Sequence, residues 1–143
     1  MKGSLMRISP FFLVATAMMA CGGSDSTSPS GNVAGSYTAT QFVTTGSSGQ
    51  TNQILAGSTL VINLAGNGTT TGHLHLAAQG GNPVLDYDMA GTWAQTGTTV
   101  NFSQTADTFV RNIPFTVVAN GSKWALEGTG SFSGTAVQIT LSQ

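Results

Sequence analysis

His73 and His75 stand two apart in the run Gly72-His73-Leu74-His75-Leu76, and Asp86 and Asp88 repeat that spacing in Leu85-Asp86-Tyr87-Asp88-Met89. On extended backbone, residues two apart share a face. A hairpin centred on Gly80-Gly81 sets Asp88 opposite His73 and Asp86 opposite His75. Two imidazoles and two carboxylates so placed could hold Zn²⁺, which would open a route to metal-dependent chemistry. The competing reading needs no metal, because cross-strand His–Asp pairs on a solvent face stabilise a hairpin modestly by themselves.

Arg111 is the second candidate. Alternation through Phe109, Arg111 and Ile113 sends its side chain inward, where a guanidinium would hold a ligand carboxylate in a bidentate fork. Pro114 offers the alternative: it cannot donate to a ladder, so a bulge over 112–114 would turn Arg111 to a rim. Tyr87, Trp93, Phe102 and Trp124 share the inward parity and would either line a ligand cavity or fill it. No Gly-x-Ser-x-Gly elbow or Ser-x-x-Lys is present, and Gly66-x-Gly68 and Gly128-x-Gly130 lack the strand-to-helix setting of a phosphate loop. Carboxylates are too few to suggest a glycosidase pair. No catalytic residue or cofactor is assigned, and the chain reads as non-enzymatic.

The elements that must position these residues are strands. From Val33 to Gln143 no amphipathic helical period appears; apolar residues alternate and Asn-Gly or Thr-Gly pairs punctuate them. The pattern predicts an all-β antiparallel up-and-down meander of eight strands, near 34–44, 58–65, 69–77, 85–95, 98–104, 107–119, 122–129 and 135–142. Two-residue type I′ loops at Asn120-Gly121 and Thr96-Gly97 would pair Phe115 with Leu126, Val117 with Trp124, and Trp93 with Val100. At Asn67-Gly68 the same loop would set Leu60 and Ile62 against the histidines. A three-residue loop with Gly68 as the bulge residue restores Leu60 opposite Leu74 and Ile62 opposite Gly72.

The wider connections pair Leu76 with Leu85, Gly72 with Met89, Phe102 with Phe109 and Leu126 with Val137. One inward face results: Leu60, Ile62, Leu64, Leu74, Leu76, Tyr87, Met89, Trp93, Val100, Phe102, Phe109, Phe115, Val117, Trp124, Leu126, Val137, Ile139 and Leu141. Strands sharing one buried face close most economically into a barrel, which removes exposed edges.

Charge narrows the partners. Charged residues are 6% of the 143, against roughly a quarter in an ordinary soluble protein. Beyond residue 20 only Arg111 and Lys123 face five carboxylates, leaving a net charge of −3. Two cations cannot neutralise a run of phosphates, which excludes nucleic acid as a partner. The expected domain is a monomer.

Ahead of it, Lys2 and Arg7 precede an apolar run over 11–20 that ends on small Ala20, the layout of a secretory signal peptide. The run is too short to span a bilayer, which takes about twenty apolar residues. Cys21 is the chain's one cysteine, so an internal disulfide is impossible, which leaves an odd reactive thiol, an intermolecular bridge or lipid attachment, the last of which explains it best. Residues 22–32, GGSDSTSPSGN, carry no apolar side chain and read as a flexible linker. The organisation is signal peptide 1–20, lipidated Cys21 with linker to 32, and barrel 33–143.

Met18-Met19-Ala20-Cys21 resembles the lipobox of bacterial lipoproteins. That resemblance implies a diacylglyceryl group and acyl chains such as palmitate on Cys21, with Gly22 after it implying the outer membrane of the cell envelope. Gly35-Ser36-Tyr37, Gly91-Thr92-Trp93 and the terminal alternation Val137, Ile139, Leu141 resemble the lipocalin-like families of envelope barrels. This second resemblance implies a barrel that binds or carries a small apolar ligand. The alternative is a filled barrel serving as a structural or interaction module; an empty interior of some 300 Å³ or more separates the two.

Overall fold

The computed structural model describes residues 31–143; residues 1–30, which carry the expected signal peptide, Cys21 and most of the expected linker, lie outside the described residues. Ten elements follow in chain order: β1 (Gly35–Gly46), β2 (Gly49–Asn52), β3 (Thr59–Leu64), β4 (Thr69–Leu76), β5 (Leu85–Thr96), β6 (Thr99–Gln104), α1 (Phe109–Asn112), β7 (Phe115–Asn120), β8 (Lys123–Phe132) and β9 (Thr135–Ser142). From β3 onward each strand pairs antiparallel with the next, and β9 returns to β1 from Thr38–Ser142 to Thr45–Ala136. Eight strands thus close the expected barrel. β2 is an addition, hairpinned onto the far end of β1 on the flank that β3 occupies nearer its start.

Alternation builds the wall. In β3, Leu60, Ile62 and Leu64 are buried while Thr59, Val61 and Asn63 face solvent. The Asn67-Gly68 hairpin follows the bulged register: Leu60 pairs with Leu74, Ile62 with Gly72, and Gly68 sits at φ 82°. β4 and β5 also pair as expected, Leu76 with Leu85 and Gly72 with Met89.

Three other hairpins differ from expectation. Trp93 pairs with Phe102, Val117 with Leu126, and Leu126 in turn with Leu141. Gly97 and Gly121 carry φ of 60° and 63° as the first loop residues, before Thr98 and Ser122, which is the type II′ arrangement rather than I′. β8 runs on to Phe132, and its turn is Ser133-Gly134, both at positive φ. Each slip moves the register by an even number of residues, so every side chain keeps its face.

The segment expected as a strand over 107–119 is not one before Phe115. Pro114 has no N–H for a ladder, and β6 and β7 pair only at Thr99–Thr116 and Val100–Phe115. Residues 109–112 form a single helical turn that buries Phe109 and Val110, with Ile113 buried behind them. Phe102 accordingly meets Phe115, edge to face at 5.4 Å, instead of Phe109.

The barrel has two unlike ends. At one, Tyr37 is fully buried and its hydroxyl donates to the Val33 carbonyl at 2.7 Å, while Gln143 Nε2 donates to that hydroxyl at 3.1 Å and to the Ala34 carbonyl at 3.3 Å. Burial pushes the Tyr37 phenol up to about 12. This knot fastens the incoming chain where Trp124 lies against Gly31 and Trp93 Nε1 donates to the Ala65 carbonyl. The other end carries the β1–β2 hairpin, the β4–β5 connection, α1 and the β8–β9 turn. Residues 31–143 therefore contain every strand's partner and one continuous core.

Candidate functional site

A cavity of about 580 Å³ opens at that second end. Its floor is apolar: Phe42 from β1, Phe109 from α1 and Val137 from β9 are almost wholly buried, and the Phe42 and Phe109 rings stack tilted at 5.2 Å. Leu76, Leu85, Pro83 and Phe132 extend this surface up the walls. α1 contributes Phe109 to the lining, with Val110 and Ile113 buried beside it in the core. At the barrel centre Leu60, Ile62 and Leu126 are fully buried and fill the interior.

Phe42 reaches the floor through a β-bulge. From Tyr37 and Ala39, strict alternation would turn Phe42 outward, but the β1–β9 register shifts between Ala39 and Gln41. The extra residue, Thr40, resets the phase and brings Phe42 in.

One wall is polar without being charged. Gln53 Oε1 accepts from Ser58 Oγ at 3.1 Å and from Gln79 Nε2 at 2.7 Å, while Gln53 Nε2 donates to Thr44 Oγ1 at 2.7 Å. Ser58 Oγ also accepts the Ala77 N–H at 3.0 Å, which ties the β2–β3 connection to the end of β4. Thr44, Thr51, Gln53, Gln79 and Thr135 all border the cavity. Thr51, Gln53 and Gln79 lie in turn-rich stretches without alternation, Thr44 and Thr135 stand at the ends of expected strands, and nothing in their spacing points to a site.

The residues expected at a ligand site lie elsewhere. Arg111, expected inside the barrel, is on the outward side of α1 and forms an ion pair with Asp107 one helical turn earlier. The helical turn, not a bulge, rotates it away, because residues 109, 110 and 113 take the buried side. Phe102 is core, Trp93 and Trp124 belong to the opposite end, and Tyr87 is half-buried against the core; none of the four borders the cavity.

The histidines and aspartates do come together, on the outer face, with His73 opposite Asp88 and His75 opposite Asp86. They are occupied with one another. His73 Nδ1 lies 2.9 Å from Asp88 Oδ1 and His73 Nε2 3.2 Å from Asp86 Oδ1, an oxygen that also lies 2.8 Å from His75 Nδ1. Among the described residues, no group of three or more such side chains is placed to hold a metal ion. A ring with both nitrogens facing carboxylate oxygens fits the imidazolium form.

Asp88 first, then Asp86, raise the His73 pKa above 6.5, and the bond from His75 leads in lowering Asp86 below 3.8. His73 therefore contributes stability in full below pH 6.5 and loses it as the pH rises through its folded value. Asp86 contributes above pH 3.8 and loses it as the pH falls through its own. An NMR titration is expected to place the His73 midpoint above 6.5 and to bring it down in Asp88→Asn. A wild-type midpoint at or below 6.5 would contradict the three-bond arrangement.

The chain matches no family model, and comparison with curated proteins and with solved structures likewise finds no match. The geometry of the barrel and its mouth is what carries a functional reading.

Proposed function

We propose that this protein is a lipid-anchored protein of the bacterial cell envelope whose barrel binds or carries a small apolar ligand at its mouth, without catalysing a reaction. The centre of the barrel is filled rather than empty, which by itself favours the filled-barrel module; what supports ligand binding is instead the open cavity of about 580 Å³ at the mouth, floored by Phe42, Phe109 and Val137, a volume within the roughly 300–1,000 Å³ usual for small-molecule sites. Support for the anchor remains the apolar run, small Ala20 and lone Cys21 of the sequence. The two parts fit each other. Gly31 joins the barrel beside Trp124, at the end opposite the cavity, so a tether from Cys21 would enter at the closed end and leave the mouth unobstructed.

Two measurements test the two parts. Metabolic labelling with a palmitate analogue is expected to mark the wild type and to vanish in Cys21→Ser, and unchanged labelling would remove the anchor. Native mass spectrometry of the protein from its own membrane is expected to show a bound small molecule that Thr135→Trp, which fills the mouth, expels. Protein at its bare mass would favour the filled-barrel interaction module instead.

A further inference from the structure

Among the described residues, no ionisable side chain borders the cavity. Among the described residues, the histidines with Asp86 and Asp88 engage each other on the outer face, and Arg111 is held by Asp107. Lys123 reaches toward the Gln143 carbonyl at the opposite end, and Glu127 points outward from β8. The mouth therefore offers an aromatic floor and a wall of amide and hydroxyl groups. An ionised ligand group drawn against the apolar floor of this open mouth would lose part of its water and find no counter-charge on the lining, which disfavours the charged form. Neutral hydrogen-bonding groups meet no such cost, because amides and hydroxyls both donate and accept.

Resting on the ligand-binding reading above, we infer that the mouth selects uncharged amphiphiles: an apolar body against Phe42 and Phe109, with hydroxyl, ether or amide groups along the Gln53–Gln79 wall. Carboxylates, sulfonates and ammonium compounds of the same shape are rejected. This separates the site from one built around an inward arginine, which would prefer an anion.

A matched pair of fluorescent probes tests the inference on residues 31–143, whose barrel closes on itself. N-phenylnaphthylamine is neutral, and anilinonaphthalene sulfonate is the same framework with one fixed negative charge. The neutral probe is expected to bind saturably at one per chain, at least about tenfold more tightly than the sulfonate, given the unpaired, partly desolvated charge. Thr135→Trp is expected to abolish binding of the neutral probe, and Thr135→Lys to raise sulfonate affinity relative to the neutral probe by about tenfold or more, since it supplies the missing counter-charge. Arg111→Gln should leave both affinities within about twofold, because exposed pairs contribute little. Sulfonate binding as tight as, or tighter than, that of the neutral probe would overturn the charge selection while leaving ligand binding intact. Absence of saturable binding by either probe would remove the ligand-binding reading as well.

Discussion

Phe42→Ala is expected to lower the stability of the barrel by about 3–5 kcal/mol, the usual cost of deleting a buried phenyl ring, and to drop the thermal midpoint by more than about 10 °C for a domain of this size. The side chain is 1% exposed and carries the Phe109 ring stacked on it at 5.2 Å. Removing it takes away the floor of the cavity and the surface on which α1 is seated. The comparison that isolates the bulge is Val43→Ala. Without the extra residue at Thr40, Val43 would lie inside and Phe42 outside. With it, Val43 is half-buried on the wall, and its truncation should cost less than about 1 kcal/mol. Thermal melts of the two variants that came out in the opposite order would place the strand in the unbulged phase and remove Phe42 from the site.

Much of the barrel was legible for one physical reason: the sheet period is two. Hairpins at Gly97, Gly121 and Gly134 each slipped from their expected register, yet Phe102, Phe115, Leu126 and Leu141 stayed inside because an even shift preserves the face. What decided between turn types was the φ of the glycine, and an Asn-Gly or Thr-Gly pair alone does not say whether glycine takes the first or the second loop position. At Asn67-Gly68 the histidines supplied the missing information, since the wrong loop would have set imidazoles against Leu60 and Ile62. That turn was read correctly from polarity alone.

The candidate site was less legible because its parts depend on departures from period two. Phe109, Arg111 and Ile113 alternate like a strand, but the apolar pair Phe109-Val110 followed by Ile113 also fits one helical turn, and Pro114 stops any ladder there. The helical reading moves Arg111 outside and Phe109 to the cavity floor. Phe42 was hidden by its bulge, and β2 by a Gly-Ser-Ser-Gly turn bearing no apolar residue. The aromatic residues that looked most like a lining, Trp93 and Trp124, close the other end of the barrel. A concave site at a barrel mouth is assembled from loops, a bulge and a single helical turn, none of which carries the periodic signal that revealed the wall.

Gly91→Ala is expected to be the most damaging glycine-to-alanine substitution among the described residues. In most strands the change would stabilise: glycine costs roughly 0.5–1 kcal/mol in a strand interior relative to alanine, and Gly91 has no left-handed φ that alanine would resist. Packing reverses the sign. Gly91 faces inward between Met89 and Trp93 at the point where β5 is paired on both flanks, to Thr70 of β4 and Gln104 of β6. A Cβ there would overlap the Ser103 carbonyl oxygen and come within 2.9 Å of Gln104 Cα. Both are backbone, so no rotamer change relieves the contact. β6 would have to move off β5, and β6 already has only two paired positions with β7 to hold it on its other side. The expected result is a loss of more than about 3 kcal/mol, at the upper end for point substitutions, or failure to recover folded protein. Gly66→Ala is the matched control, since its Cβ would meet nothing within 4 Å, and its melting temperature should stay within a few degrees of the wild type. A Gly91→Ala protein that melts like Gly66→Ala would show that β5 and β6 do not approach this closely. Closure of the wall at that point would then need another register.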